Sequence, residues 1–521
     1  MTNFPILLCC DAYKLSHRGF MVPGTQEIYS NLTPRSGKLM TTPLEGILWF
    51  GMRGTLQELH LAFQEFFRAP KEYAVRTLKD VFDAFLGDGA IDMHHFEELH
   101  DLGYLPVRIK SLREGTFVPF KVAVFTIRNT HKKFAWLTNF LETWLSAETW
   151  KATTVASNTF AFRKLVNAFA MDTVGSLAGT EFQVHDFSYR GMSNTTDAAK
   201  CGLGFLLSTR GTDTVPALWY AKTQYGANLR TDFVGTSVPA SEHSLASAGI
   251  AVDGELETFR RWVTKDYPTG IVSVIADTLD FFKVVTEYAT ELKDDILNRQ
   301  PNALGLAKVV FRPDSGDPVK IVTGYKEDEV RMEARFVGSK RIDVPVCIET
   351  GRELSDAELK GAVQCLYEVF GGTETEQGFI QLHERVGLIY GDSITYTRAK
   401  EIMQRLKDNG FASTNIVFGV GSYSNQYMTR DTAGFAVKAT SAVIDGERYE
   451  LSKDPATDSG TKKSAKGLLK VYRNEEGTLV MKDQCTEAEE LEGLLEVVYE
   501  DGIFRNIDDF VTIRQRVESQ F

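Results

Sequence analysis

One histidine lies where it could carry a transferable group. The stretch 236–244 reads TSVPASEHS and follows the short run DFVG at 232–235. Pro239 and Ser241 predict a helix that starts at Ser241, with this serine as its N-cap. His243 would then lie in the first helical turn, where free backbone N–H groups and the helix dipole stabilise a phosphoryl group. On this stretch alone, a histidine that merely makes a hydrogen bond in a loop is the simpler interpretation.

Three aspartates follow strand-like runs and are predicted to meet at the ends of different strands. They are Asp277, Asp314 and Asp392. Converging carboxylates bind Mg²⁺ and ribose hydroxyls, or they act in acid–base chemistry. The alternative for each is an ion pair with a neighbouring arginine, which Arg312 makes possible for Asp314.

Arginines and glycines near the same strand ends suggest phosphate recognition. Arg190, Arg312 and Arg430 suit planar, bidentate binding of phosphate oxygens. Gly419 and Gly421 lie in the last clear strand-to-helix loop, where barrels often offer backbone N–H groups to a phosphate. Two glycines in a loop are weak support without the neighbouring groups.

A repeated strand–loop–helix pattern would bring these side chains together. From about residue 180, short apolar strands recur, each followed at once by polar residues or glycine, and each separated from the next by enough chain for a helix. This repetition predicts a (β/α) barrel, whose active site lies at the C-terminal ends of its strands. The strand segments are 182–191, 205–213, 232–243, 271–280, 307–316, 386–393 and 415–424.

The chain length and the change of residue pattern along the chain predict two domains. The 521 residues exceed the roughly 250–300 at which a single core stops growing. Residues 1–150 are expected to form an N-terminal α+β domain and residues 151–444 the α/β barrel. The segment 445–521 is expected to return to the first domain or to cap it.

Bulk composition and missing motifs exclude several classes. A net charge of −12 argues against a nucleic-acid partner. No apolar run reaches the roughly 20 residues of a membrane span, and six scattered cysteines favour a reducing, cytoplasmic setting. The P-loop, the G-x-G-x-x-G fingerprint and the loop of type I phosphoribosyltransferases are absent from the sequence. The residues alone therefore indicate a barrel enzyme that acts on a phosphorylated sugar.

A series of collinear motifs resembles the nicotinamide phosphoribosyltransferase family of type II phosphoribosyltransferases. The resemblance implies an α/β fold, in which an irregular (β/α) barrel packs on a second α+β domain built from both chain termini, and a homodimer with shared active sites. Two features depart from the family: Ser188 stands where glycine is common, and the segment 320–380 is longer than expected. The motifs are DAYK (11–14), HDFSYRG (185–191), GTDTV (211–215), SVPASEHS (237–244), VSVIADT (272–278), FRPDSGDP (311–318), GD (391–392), FGVGS (418–422) and LSKDPATD (451–458).

The resemblance also implies a reaction. Nicotinamide would react with phosphoribosyl pyrophosphate and Mg²⁺ to give nicotinamide mononucleotide and pyrophosphate in NAD salvage. ATP hydrolysis would be an optional coupled step, through phosphorylation of His243. Two alternatives stay open: nicotinate phosphoribosyltransferase activity, and a non-catalytic barrel that binds sugar phosphates.

Individual roles follow from the same resemblance. Phe187 would stack on the nicotinamide ring, Asp213 would accept a hydrogen bond from the carboxamide, and Arg312 would lie near the ring. Asp314 would lie near the reacting sugar, and Asp277 would support His243. The other ligand contacts would come from Tyr13 and Asp11 (nicotinamide, from the partner chain), Arg190, Gly391, Asp392, Gly419, Gly421 and Arg430 (ribose and phosphate), and Arg35 with the lysines around Lys453–Lys463 (ATP or pyrophosphate). The resemblance assigns no direct Mg²⁺ ligands.

Overall fold

Six short parallel strands form the sheet at the centre of the barrel. The computed structural model describes residues 4–453 and 464–521. The strands are rich in Val and Ile, as expected for strands covered by helices. Each strand is parallel to its neighbours. In sheet order they are Gly211–Thr212, Val184–Asp186, Val417–Val420, Val386–Tyr390, Ala307–Arg312 and Gly270–Ile275.

The segment 236–240 closes this sheet into an irregular barrel. At one edge, the Thr212 N–H donates to the Thr236 carbonyl at 2.9 Å. At the other edge, the Ser273 N–H donates to the Pro239 carbonyl at 2.9 Å. Because proline has no N–H to donate, the segment forms isolated bridges instead of a continuous ladder. The expected fold class is confirmed, and all seven predicted strand segments contribute to the ring.

The second unit is an antiparallel sheet with strands from both ends of the chain. Its strand Ala436–Ile444 pairs with Thr25–Thr33, so the C-terminal part of the chain enters this sheet before residue 445. The helix Glu142–Thr173 likewise runs through the expected boundary at residue 150. In sheet order the strands are Glu447–Glu450, Ala436–Ile444, Thr25–Thr33, Phe125–Asn129, Val107–Ser111, Glu496–Glu500 and Ile503–Phe504.

Helices cover both sheets. Within the described residues, no helix combines the length and apolar character needed to span a bilayer. The main helices beside the antiparallel sheet are Met52–Arg68, Lys71–Leu86, His94–Leu102, Trp136–Phe140 and Phe510–Glu518. Those of the barrel unit include Thr195–Phe205, Val215–Tyr225, His243–Asp253, Glu255–Arg261, Lys293–Leu297, Pro318–Thr323, Asp356–Lys360, Ala362–Phe370, Tyr396–Asp408 and Ser422–Gln426.

A buried carboxylate helps to join the two units. Glu114 accepts hydrogen bonds from the backbone N–H groups of Gly51 and Met52 at 2.6 and 3.0 Å. These two residues lie at the start of the helix Met52–Arg68. The same carboxylate accepts from the hydroxyl of Tyr225, which belongs to a barrel helix. Burial raises the pKa of Glu114, and the hydrogen bonds from Arg53, Gly51 and Tyr225 oppose that rise. The contact fixes the antiparallel unit against the barrel.

The long segment 320–380 carries a β-hairpin. The strands Val330–Val337 and Lys340–Cys347 pair with each other, outside the two large sheets. Arg405 of a barrel helix holds the start of the hairpin, because it donates to both oxygens of Glu329 at 2.7 and 2.9 Å.

Candidate active site

At the C-terminal ends of the barrel strands, His243 and two aspartates form a connected group. The Nε2 atom of His243 lies 3.0 Å from Oδ1 of Asp277. Oδ2 of Asp277 accepts from the Asp314 backbone N–H at 2.9 Å and from the Ser315 hydroxyl at 2.7 Å. Asp277 therefore links His243 to the loop that carries Asp314.

The helix that carries His243 starts one residue later than predicted. It spans His243–Asp253, and Glu242 occupies the N-cap position in place of Ser241. The Ser241 hydroxyl instead accepts a hydrogen bond from the Ile275 N–H at 2.8 Å, because this serine helps to close the barrel. His243 remains in the first turn, where backbone N–H groups lack helical partners.

Asp277 fixes the tautomer of His243. A carboxylate can only accept a hydrogen bond, so Nε2 of His243 carries the proton that points to Asp277. Whenever the ring is neutral, this tautomer leaves the lone pair on Nδ1. The His243 side chain is half exposed, whereas only 4% of the Asp277 side chain is exposed. The arrangement is a supported histidine whose nucleophilic nitrogen is accessible.

Asp314 lies among several charges. Burial is the main factor that raises its pKa, and the negative charges of Asp277 and Asp392 raise it further. The charges of Arg312 and His243 act in the opposite direction. The structure thus brings the three predicted aspartates to one end of the barrel, together with Arg312 and His243.

Phe187 rests on a surface made of glycine backbone. A Cβ atom added to Gly419 would lie 2.3 Å from the Phe187 ring, and one added to Gly391 would lie 2.9 Å from it. The ring therefore requires glycine at both positions. This close approach gives Gly391 and Gly419 a packing role that their positions in the sequence did not reveal.

Asp213 is held by His185, which lies at a predicted strand end, and by Ser237, which sequence reasoning did not assign to the site. The imidazole of His185 and the hydroxyl of Ser237 approach its Oδ1 at 3.0 and 2.5 Å. Partial burial alone would raise the pKa of Asp213, but the contacts with His185 and Ser237 and the charge of Arg312 bring it below its usual value. Asp213 is therefore kept ionised. In the sequence, His185 lies at the end of a strand-like run, as the other predicted site residues do. Nothing in the sequence marks Ser237 as a site residue except its place in the segment that closes the barrel.

Arg312 faces the same end of the barrel. Its guanidinium donates to the Ser241 carbonyl at 2.8 Å. Its buried Nε has no hydrogen-bond partner among the described residues. On another part of the same barrel end, Gly191 packs closely on Ser422, so the exposed Arg190 lies beside the loop that contains Gly421. A Cβ atom at Gly421 would meet nothing within 4 Å, so the backbone of this loop is open to a ligand.

A second cationic group lies on the antiparallel unit. Partial burial lowers the pKa of Lys438, and the charges of Arg35, Lys453 and Arg430 lower it further. Arg35, Arg430 and Lys453 therefore each lie close enough to Lys438 for their charges to act on it. Lys438, which the sequence reasoning missed, stands on the strand Ala436–Ile444, where its alternation with apolar residues looks like an ordinary exposed position. The further lysines expected to join this group, Lys462 and Lys463, lie outside the described residues.

Asp11 and Tyr13 lie at the start of the long helix Glu142–Thr173. The Thr143 hydroxyl donates to Asp11 at 2.6 Å, and the buried Lys14 pairs with Glu142 at 2.5 Å. Tyr13 is 58% exposed and contacts His17. In the part of the chain that the structure describes, no hydrogen bond or ring contact joins Asp11 or Tyr13 to Phe187 or Asp213 of the same chain.

Ser188 has a local explanation. It is buried, and its hydroxyl donates to the Asp186 carboxylate at 2.6 Å. Its backbone N–H donates to the same oxygen. The serine therefore fastens the turn that follows the strand Val184–Asp186 and helps to orient Phe187.

Comparison with known proteins identifies the class of this barrel. The profile of the nicotinate phosphoribosyltransferase (NAPRTase) family matches residues 182–503. A curated nicotinamide phosphoribosyltransferase from Acinetobacter baylyi is 48% identical over 515 residues, covering 98% of this chain and 96% of that protein. A protein of the same name from Mycoplasma pneumoniae is 29% identical, covering 90% and 98% of the two chains. The chain belongs to the nicotinate phosphoribosyltransferase family.

A solved structure supports the fold. The nicotinate-nucleotide pyrophosphorylase from Pyrococcus furiosus aligns with 100% of this chain and 98% of its own, with a TM-score of 0.54. Because the two sequences are only 14% identical, this likeness concerns the fold alone.

Proposed function

We propose that this protein transfers the 5-phosphoribosyl group of phosphoribosyl pyrophosphate to nicotinamide, giving nicotinamide mononucleotide and pyrophosphate. The observation that carries the proposal is the carboxylate of Asp213, which is held by His185, whose imidazole in turn contacts the aromatic ring of Phe187. A carboxylate accepts a hydrogen bond from an amide NH₂ and repels the carboxylate of nicotinate. The names of the Acinetobacter and Mycoplasma relatives support the same choice of substrate.

The chemistry explains the other residue types. The pyridine nitrogen of nicotinamide is already a nucleophile, so the reaction needs no strong base. Positive charge develops on the ribose as pyrophosphate leaves, and a carboxylate held near the sugar stabilises that charge. Asp314 suits this role, with Gly391 and Asp392 beside it for the ribose hydroxyls. Arg190 and the open backbone at Gly421 suit the 5-phosphate.

The proposed reaction uses Mg²⁺. No group of three or more His, Cys, Asp or Glu side chains in the described residues forms a ready-made metal centre. The carboxylates of Asp314 and Asp392 still fit the ion, because Mg²⁺ is commonly held by one or two carboxylates together with substrate phosphates and water. When bound there, Mg²⁺ would neutralise charge on the departing pyrophosphate.

His243 would couple the reaction to ATP. Its free Nδ1 attacks the terminal phosphorus of ATP, the new N–P bond forms as ADP leaves, and Asp277 stabilises the positive charge that the ring gains. The N–H groups at the start of the helix His243–Asp253 would be available to stabilise the attached phosphoryl group. Hydrolysis later returns the histidine and releases phosphate.

The working unit would be a homodimer with shared sites. The exposed ring of Tyr13 and the cationic group of Arg35, Arg430, Lys438 and Lys453 lie on the antiparallel unit. Across a two-fold interface, one chain would present these residues to the barrel of the other. Tyr13 of the partner chain would then cover the ring face that Phe187 leaves open.

Product analysis tests the proposal. Purified protein with Mg²⁺ and phosphoribosyl pyrophosphate is given nicotinamide or nicotinate, with and without ATP. We expect nicotinamide mononucleotide and pyrophosphate in equal amounts. Preferential formation of nicotinate mononucleotide would favour the nicotinate activity, and the absence of both products would favour a non-catalytic barrel.

A further inference from the structure

Two donors converge on a single oxygen of Asp213. His185 Nε2 lies 3.0 Å from Oδ1, and Ser237 Oγ lies 2.5 Å from the same atom. Since the carboxylate can only accept, His185 carries its proton on Nε2 and Ser237 points its hydroxyl at Oδ1. Within the described residues, no hydrogen bond reaches Oδ2 of Asp213. Oδ1 of Asp213 therefore accepts both hydrogen bonds, and Oδ2 accepts none from the described residues.

Three neighbouring parts of the barrel wall fix this geometry. His185 and Gly211 are register partners on adjacent parallel strands. A Cβ atom added to Gly211 would lie 2.5 Å from Nδ1 of His185, so the imidazole packs directly on that backbone. On its other side, the imidazole contacts the ring of Phe187, at a centroid distance of 4.9 Å. Ser237 comes from the segment 236–240 that closes the barrel.

We infer that His185 and Ser237 are positioning residues that hold Asp213 in one orientation and thereby set the preference for an amide over an acid. The inference rests on the proposed function. With Oδ1 held, Oδ2 presents its lone pairs to the NH₂ group of nicotinamide lying on Phe187. A carboxylate without these donors could turn toward Arg312, whose charge already acts on Asp213. Pairing with Arg312 would neutralise the charge that rejects nicotinate.

The test removes each donor separately. In Ser237→Ala we expect the KM for nicotinamide to rise about tenfold, the typical effect of losing a hydrogen bond to a charged group, while kcat stays within about twofold. The ratio of kcat/KM for nicotinamide to that for nicotinate should fall by a similar factor. His185→Leu should lower the same ratio. Ser237→Thr keeps the hydroxyl and should restore the ratio to within about threefold of the parent protein.

Controls separate positioning from folding and from the proposed function. Ser519→Ala removes an exposed hydroxyl that bonds only within its own helix, and it should change neither constant. Ser237→Ala and His185→Leu variants that are stable but keep the parental ratio would overturn this inference alone. A parent protein that forms no nicotinamide mononucleotide would overturn the proposed function and this inference with it.

Discussion

At the scale of single residues, the site depends on carboxylates that each serve two partners. Asp277 holds His243 with one oxygen and the Asp314 loop with the other. One buried side chain therefore connects the histidine to the loop that carries Asp314. This arrangement gives a physical reason why phosphorylation of His243 would act on the transfer reaction.

We predict that the protein incubated with ATP and Mg²⁺ takes up an acid-labile phosphate, and that His243→Ala abolishes the uptake. Asp277→Asn should slow it, because the charge that stabilises the attacking imidazole is lost. Mass spectrometry at neutral pH and radiolabelled phosphate would measure both effects. Phosphate retained in His243→Ala would place the acceptor elsewhere, and His185 would be the first residue to examine.

At the scale of elements, the strand ends were easier to predict than the contacts between them. Apolar runs followed by polar residues correctly located five wall strands, because burial on both faces leaves a strong pattern. In the segments 205–213 and 232–243 the apolar run lies before the wall, which is formed by Gly211–Thr212 and by 236–240. The exact start of the helix at His243 was not predictable, because Ser241 is used by a strand distant in sequence. Ser237 and Lys438 were missed for the same reason: their roles depend on neighbours that only the closed barrel and the antiparallel sheet provide.

The glycine surface beneath Phe187 gives an element-scale prediction. Gly419→Ala would place a methyl group within the ring's van der Waals radius, and overpacking of this kind costs about 1–3 kcal/mol. We expect the KM for nicotinamide to rise at least tenfold as Phe187 is displaced. Gly19→Ala is the matched control, since a Cβ atom there meets nothing within 4 Å. An unchanged KM in a folded Gly419→Ala protein would exclude Phe187 as the stacking residue.

The hairpin in the long segment 320–380 predicts how the stability of the fold depends on pH. The paired hydrogen bonds from Arg405 lower the pKa of Glu329 from 4.5 to about 2. The folded state thus favours the ionised form, so this contact stabilises the fold fully above pH 4.5 and is lost progressively as the pH falls toward 2. Glu329→Gln should lower the free energy of unfolding by about 1–3 kcal/mol at pH 7 and by less at pH 4.

Urea denaturation at the two pH values would measure this difference. Glu333→Gln removes an exposed pair with Arg331 inside one strand and serves as the control, with an expected effect below about 1 kcal/mol. Equal losses for Glu329→Gln at pH 7 and pH 4 would contradict the assigned role of the Arg405 contact.

At the scale of the whole molecule, the residues expected to bind one substrate lie in two separate places. Phe187, Asp213 and Asp314 lie at the barrel end, whereas Tyr13 is fixed beside the long helix by Lys14 and its neighbours. A dimer would place Tyr13 of one chain beside the barrel residues of the other. The family resemblance predicted that Tyr13 comes from the partner chain, whereas composition and periodicity alone carry no information on which chain supplies a residue.

Complementation tests the shared site. Mixed dimers of Tyr13→Ala and Phe187→Ala chains should contain one doubly damaged site and one intact site. Their activity should therefore exceed that of either parent variant and approach half that of the unaltered protein. Sedimentation should show a dimer throughout. A fully active monomer, or verified mixed dimers without restored activity, would contradict the shared site.

The most direct test of the central claim is the ratio of kcat/KM for nicotinamide to kcat/KM for nicotinate, measured in the parent protein and in Asp213→Asn. The parent protein should prefer nicotinamide by about a hundredfold or more, because an unpaired buried charge costs a few kcal/mol. Asp213→Asn should narrow that preference, since the neutral amide no longer repels a carboxylate. A parent protein that uses nicotinate as well as nicotinamide, or an Asp213→Asn variant with the parental ratio, would contradict the account.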